Sequence, residues 1–187
     1  MSLPALSDLD VHKISAPFGV GYPDNLRVFY SPVDQVHDAL LDLVNSAEKS
    51  VVLAMYGYDD DQLHEAILRH LQNPQILVQL TLDSSQAAGK HEAALLEHAA
   101  LPGNSVAIGR SEKGAIMHLK TLVIDGLDTV TGSTNWSQGG ENDQDNEMTV
   151  IRSVEHALEA STRISMIHSF ILKAAAAKAA TLPAATE

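Results

Sequence analysis

Cysteine is absent from the 187 residues. Disulfides, thiolate catalysis and Cys-based zinc or iron–sulfur sites are therefore excluded. Positive charge is scarce, with 12 Lys+Arg against 24 Asp+Glu and a formal net charge of −12. A protein that grips duplex DNA through many phosphates shows a basic face. Any polyanion site here must be a local positive spot on an acidic body. Long apolar runs are missing as well. The longest, such as Val51–Tyr56, are far too short to span a bilayer. No cationic amphipathic surface helix is evident, so no stable membrane association is expected. The N-terminus lacks a basic segment followed by a long apolar one. The chain as it stands reads as cytoplasmic, or as periplasmic or secreted if a leader precedes it. Internal repeats and low-complexity linkers are also lacking.

What is present is core material. Hydrophobic residues make up 45% of the chain, enough for one domain of ordinary size. Arg27–Tyr30 reads as a short strand. Ser31-Pro32 reads as an N-cap and a first-turn proline, followed by Val33, Val36, Leu40, Leu43, Val44 and Ala47 at helical spacing. Val51–Tyr56 is a continuous apolar strand of the kind buried on both faces. Asp60–Leu71 suits a helix with acidic residues at its positive end. Ile76–Leu82 and Ser105–Gly109 read as strands, with an Ala/Leu/Glu helix over Ala87–Ala100 between them. This alternation argues for a layered α/β domain with parallel pairs. Beyond it, Ile116–Ile124, Leu127–Gly132 and Glu147–Arg152 follow one another without helices, so that part is antiparallel or mixed. Val154–Lys178 is a long helix. The expected organisation is an N-terminal extension over 1–24, a catalytic domain over 25–174 and an Ala-rich helix end with a frayed tail over 175–187.

Asp125-Gly126 is a strong hairpin signal, suited to a type I′ bend. With a two-residue loop, Ile124 faces Leu127, Lys120 faces Thr131 and His118 faces Ser133. Side chains alternate along a strand. His118, Lys120, Ser133 and Asn135 would then share one face, and a one-residue slip would break the grouping. That face offers an imidazole, an ammonium, a hydroxyl and a carboxamide. Three of these donate naturally to phosphate oxygens. The imidazole is the group able to act as nucleophile or proton donor near neutral pH.

His118-Leu-Lys120-Thr-Leu-Val-Ile-Asp125 fits the pattern H-x-K-x4-D, and Gly132-Ser133-Thr134-Asn135 fits the G-S-x-N that follows it. The chain thus resembles the phospholipase D superfamily, and in size its bacterial single-motif endonucleases. The resemblance implies an α/β fold with a mixed, largely parallel β-sheet flanked by helices on both faces. It implies a metal-independent phosphodiesterase, an endonuclease hydrolysing nucleic-acid phosphodiester bonds through a covalent phosphohistidine on His118. Lys120 and Asn135 would hold the phosphate, with Ser133 beside them. One motif per chain implies a homodimer whose second copy supplies the other His118. Asp125, near the turn, is implied to be structural or orienting. The family's acidic residue that orients the nucleophile, often in an N-x-E context, is matched less well by "ENDQDNEMTVI". Glu147 is the choice, with Glu141 and Asp145 as fallbacks. No cofactor and no metal are expected. Two other functions fit the same residues: a phospholipase D-type hydrolase of lipid or small phosphodiesters, and a non-catalytic dimeric nucleic-acid-binding scaffold.

Other polar groups stand outside this motif. Arg110 and Lys113, in the loop before the motif strand, are candidates for a positive substrate rim. Asp59-Asp60-Asp61 with His64 and Glu65 could bind metal, but acidic capping of a helix accounts for them. His91 and His98 fall on one face of an expected solvated helix. Trp136, the sole tryptophan, is read as packing under its loop, and Tyr56 and Tyr58 end a core strand.

Overall fold

The computed structural model describes residues 5–86, 93–95 and 103–181. A 3-10 helix (Leu6–His12) leads into β1 (Leu26–Ser31), α1 (Val36–Asn45), β2 (Ser50–Met55), β3 (Tyr58–Asp59) and α2 (Asp61–Leu71). Then come β4 (Leu77–Asp83), β5 (Val106–Gly109), β6 (Lys120–Ile124), β7 (Asp128–Gly132), β8 (Trp136–Ser137), α3 (Gln138–Asn142), β9 (Asn146–Arg152) and α4 (Val154–Thr181). The helix expected over 87–100 lies outside the described residues except at 93–95, which are helical. His91, His98 and the tail over 182–187 also lie outside them.

Seven strands form one sheet in the order β1-β9-β7-β6-β2-β4-β5, and β3 pairs with β8 in a small second sheet. The large sheet is mixed, as expected. Among the described residues, its parallel pairs are β2-β4 and β4-β5, and the other four neighbouring pairs are antiparallel. Five strands nevertheless run one way, and only β6 and β9 oppose them. The C-terminal ends of β1, β2, β4, β5 and β7 therefore meet the starts of β6 and β9 at one end of the sheet.

Helices cover both faces. The α1–α2 side buries Val51, Leu53, Met55, Leu122, Ile124, Val130, Met148 and Val150. The α4 side buries Val52, Ala54 and Val123 against Ala157, Ile164, Ile167 and Ile171. β2 contributes to both clusters, which is why its sequence is apolar without alternation. Each fully buried Leu, Ile or Val contributes roughly 1.5–3 kcal/mol. The N-terminal segment is stitched to this body. Leu6 and Leu9 enter the core, His12 Nε2 meets Asp42 at 2.8 Å, and Arg27 Nε donates to Asp10 at 2.5 Å.

Two expectations need correction. Ser31-Pro32 does not start α1. Ser31 is the last residue of β1, and the helix begins at Val36 after Gln35. The intervening turn is held by Asp34, whose carboxylate accepts from Lys13 Nζ (2.7 Å), the Ser15 amide (2.8 Å) and the Tyr30 amide (2.9 Å). The second correction concerns the hairpin. Its bend is the type I′ turn expected, with Asp125 at φ 53° and Gly126 at φ 66° and Leu127 N donating to Ile124 O at 3.0 Å. Leu127 is then left out of the ladder, however, and Ile124 pairs with Asp128 and Thr121 with Thr131. That is the one-residue slip that reverses the facing. Lys120 shares its side of the sheet with Leu122, Val130 and Gly132, not with Thr131. The apolar alternation decides the register: it puts Leu122, Ile124 and Val130 under α1–α2, and Val123 under α4.

Burial works to raise the Asp34 pKa, but the Lys13, Ser15 and Tyr30 hydrogen bonds outweigh it and hold it near 2, against an ordinary 3.8. A depressed acid stabilises the fold above its unfolded pKa, and that contribution fades as pH falls through the folded value. Asp34→Asn should therefore cost about 2 kcal/mol at pH 7. Urea melts of the two proteins should converge between about pH 4 and pH 2. A gap that stays constant across that range would show that the carboxylate charge is not the stabilising feature.

Candidate active site

The motif residues collect at the sheet end described above, by a different route from simple strand alternation. His118 precedes β6 and is exposed, and Lys120 is the first residue of β6. Tyr56, just past β2, lies between them. Its ring centroid is 4.8 Å from that of His118 and 5.0 Å from Lys120 Nζ. The ring face offers the ammonium a cation–π contact, and Nζ also donates to His118 O at 3.2 Å. Partial burial pushes the Lys120 pKa down. Asn135 reaches the same place from the other side. Its Oδ1 accepts the amide of Gly57 at 3.2 Å, and Trp136 N donates to Gly57 O at 2.9 Å. With the oxygen so oriented, the Nδ2 end of Asn135 is the donor left to act. A side chain on Gly57 would press on Asn135, since a Cβ there would lie 3.0 Å from Asn135 Cγ.

Gly132 lets the chain leave β7 toward Asn135. It has φ 147°, and a Cβ would come within 2.1 Å of Glu147 O. Ser133 then turns back onto β9. Its Oγ donates to Asn146 Oδ1 at 2.8 Å and accepts the Glu147 amide at 3.0 Å. Its proton is thus used within the protein, not held out toward a ligand. Trp136 is buried, with its ring 5.9 Å from that of Tyr58, so it packs as expected.

Glu147 is not brought to His118 by any hydrogen bond among the described residues. Met148 and Val150 face the α1–α2 core, so alternation turns Glu147 and Thr149 the other way. Glu147 Oε1 accepts from Thr149 Oγ1 at 2.9 Å. The residue of β9 on the Lys120 side is Asn146, whose Nδ2 donates to Gly140 O at 3.0 Å. Of the fallbacks, Asp145 is exposed. Glu141 is fully buried and bonded to His37 Nδ1 at 2.5 Å. Burial pushes Glu141 up to about 7, against the His37 hydrogen bond and helped by Asp60. His37 is in turn raised: burial works downward, but the Glu141 bond and the Asp60 charge prevail.

The Asp125 carboxylate accepts the amides of Lys49 (2.8 Å) and Ser50 (2.9 Å), with Glu48 at 3.1 Å. It fastens the hairpin bend to the start of β2. Arg110 Nη1 lies 3.8 Å from Asp83 Oδ1, and Lys113 is exposed nearby in sequence. Asp83 was not singled out from sequence. It is fully buried at the end of β4 and accepts the amides of Ser85 and Met117, the latter one residue before His118. Burial works to raise its pKa, but hydrogen bonds from Ser85 and Met117 and the Arg110 charge hold it below the ordinary value. An Asp ending an apolar strand was the available signal.

Residues 40–167 match the family described as "Cardiolipin synthase, PLD-like domain". Nuc from Salmonella typhimurium, titled a phospholipase D family member, superposes with a TM-score of 0.63 at 20% identity, covering 76% of this chain and 92% of Nuc. NucT from Helicobacter pylori gives 0.65 at 21%, covering 76% and 94%. Phosphatidylserine synthase from Haemophilus influenzae gives 0.55 at 11%, covering 76% of this chain but 38% of that larger one. No curated protein sequence matches the chain.

Because Asp125 satisfies several backbone amides at a bend that places β6, Asp125→Ala should destabilise by about 2 kcal/mol, lowering the melting temperature by roughly 4–8 °C. Thermal denaturation followed by circular dichroism checks this. An unchanged melting temperature would mean the bend does not need the carboxylate.

Proposed function

The chain belongs to the PLD-like domain family, and on that premise we propose that it is a metal-independent endonuclease cleaving phosphodiesters through a phosphohistidine. The observation that carries the reading is the gathering of His118 and Lys120 around the Tyr56 ring, with Asn135 pinned to the next residue, Gly57. An exposed imidazole beside a partly desolvated ammonium and an oriented carboxamide donor suits attack on a phosphate.

A phosphodiester repels nucleophiles because its oxygens are negative. Lys120 and Asn135, one set from each of two copies, offset that charge. Neutral His118 attacks phosphorus; an N–P bond forms as the P–O bond to the leaving alcohol breaks. The charged His118 of the second copy gives its proton to the departing alkoxide. The same imidazole, now neutral, takes a proton from water, which attacks phosphorus and releases His118. Two identical histidines in opposite protonation states titrate as a coupled pair. Asn146 and Glu147 differ in which side of β9 they occupy, and the orienting role assigned to Glu147 requires its carboxylate to leave Thr149. Arg110 and Lys113 form the positive rim that brings a polyanion to an otherwise acidic surface.

The test uses purified protein in EDTA on single- and double-stranded DNA, RNA, a chromogenic phosphodiester and phosphatidylcholine, with His118→Ala alongside. Nucleic-acid cleavage should persist in EDTA and fall at least about a thousandfold in His118→Ala. Acid-labile phosphate should be trapped on the wild type alone. Cleavage abolished by EDTA and restored by Mg²⁺ would overturn the proposal. A protein that stays monomeric while fully active would remove the shared site.

A further inference from the structure

Away from the motif residues, three helix starts bring together side chains that the phosphoryl chemistry leaves unused. His37 lies in the first turn of α1, Asp60 is the N-cap of α2, and Glu141 belongs to α3. Asp60 Oδ1 caps α2 by accepting from Leu63 N at 2.7 Å, and Oδ2 lies 3.5 Å from His37 Nδ1. Glu141 Oε2 is 2.5 Å from the same nitrogen. One ligand atom from each residue lies within 4.8 Å of the others.

The cluster is built rather than incidental. The Glu141 side chain is 0% exposed, His37 14% and Asp60 12%. Glu141 Oε1 and His37 Nε2 are buried without a hydrogen-bond partner among the described residues. Two carboxylates and one imidazole share this mostly buried place, where both carboxylates can ionise at low cost only against added positive charge. His64, one turn further along α2, is not in the group of ligand atoms, and its Nδ1 lies 3.1 Å from Tyr58 Oη.

We propose that His37, Asp60 and Glu141 form a binding site for a divalent ion of the zinc class. One imidazole and two carboxylates supply three ligands, and the partial exposure of His37 and Asp60 leaves room for a water as the fourth and a way in. Zinc–nitrogen and zinc–oxygen bonds of about 2.0–2.2 Å set ligand atoms roughly 3.3 Å apart. The ion therefore enters by opening the His37–Glu141 contact by about an ångström. Bound there, it ties α1, α2 and α3 together beside the strand ends that carry the motif.

The experiment is isothermal titration of the metal-free full chain with Zn²⁺, with Mg²⁺ as the hard-ion control, on wild type, His37→Ala and Glu141→Gln. Wild type should take up one Zn²⁺ and no Mg²⁺, and both variants should lose that uptake. Its melting temperature should rise by roughly 5–10 °C at a hundredfold excess over Kd, with no rise in the variants. Co²⁺ added to wild type should give the visible absorption of a low-coordinate nitrogen–oxygen site, a readout that needs no variant to fold. Absence of Zn²⁺ uptake, or the same uptake in the variants, would overturn the site and leave a hydrogen-bonded dyad only. Catalysis enters none of these readouts, so a failure here is separate from a failure of the proposed nuclease activity.

Discussion

The position of Leu127 outside the β6–β7 ladder is the constraint on which the site depends. A two-residue bend followed by strict pairing would have put Thr129 and Thr131, not Val130 and Gly132, on the side of the sheet that Lys120 shares with Leu122 and Ile124. Dropping one residue from the ladder brings Val130 beside Leu122 and Gly132 beside Lys120 on the α1–α2 side. The apolar residues enforce this. Only this register puts Val130 on the same deeply buried side as Leu122 and Ile124, so the pairing follows hydrophobic burial and the bend adapts with a bulge. Asp125 then locks the bend to β2 through backbone amides.

From that register the other placements follow. Gly132 abuts the β9 backbone, so the chain can turn out of the sheet and carry Asn135 across to Gly57. Tyr56 becomes the surface against which His118 and Lys120 rest. Asp83, from the neighbouring parallel strand, holds the amide just before His118. The motif side chains are thereby supported by groups from β2, β4 and β9 rather than by the hairpin alone. Support of this kind is what a phosphate site requires, because charge stabilisation depends on donors that do not have to reorganise.

Much of this was legible in the chain itself. The H-x-K-x4-D and G-S-x-N spacings, the apolar β2 run, the helix over Asp61–Leu71 with its acidic cap and the long amphipathic α4 all follow from local chemistry and periodicity. The turn type at Asp125-Gly126 does too, because only a few residues tolerate positive φ in succession. What resisted reading was anything that needed distant partners. Asp34 halts the helix start that Ser31-Pro32 suggested, through contacts to Lys13 and Ser15.

Sequence by itself determined the class of fold, the chemical identity of the motif groups and the need for a bend at Asp125-Gly126, since each is set by residues close along the chain. Tertiary structure alone decided the hairpin register, the side of β9 that Glu147 faces and the meeting of His37, Asp60 and Glu141. Those outcomes are fixed by which faces can be buried together, and burial is a property of the packed sheet and helices, not of any single segment.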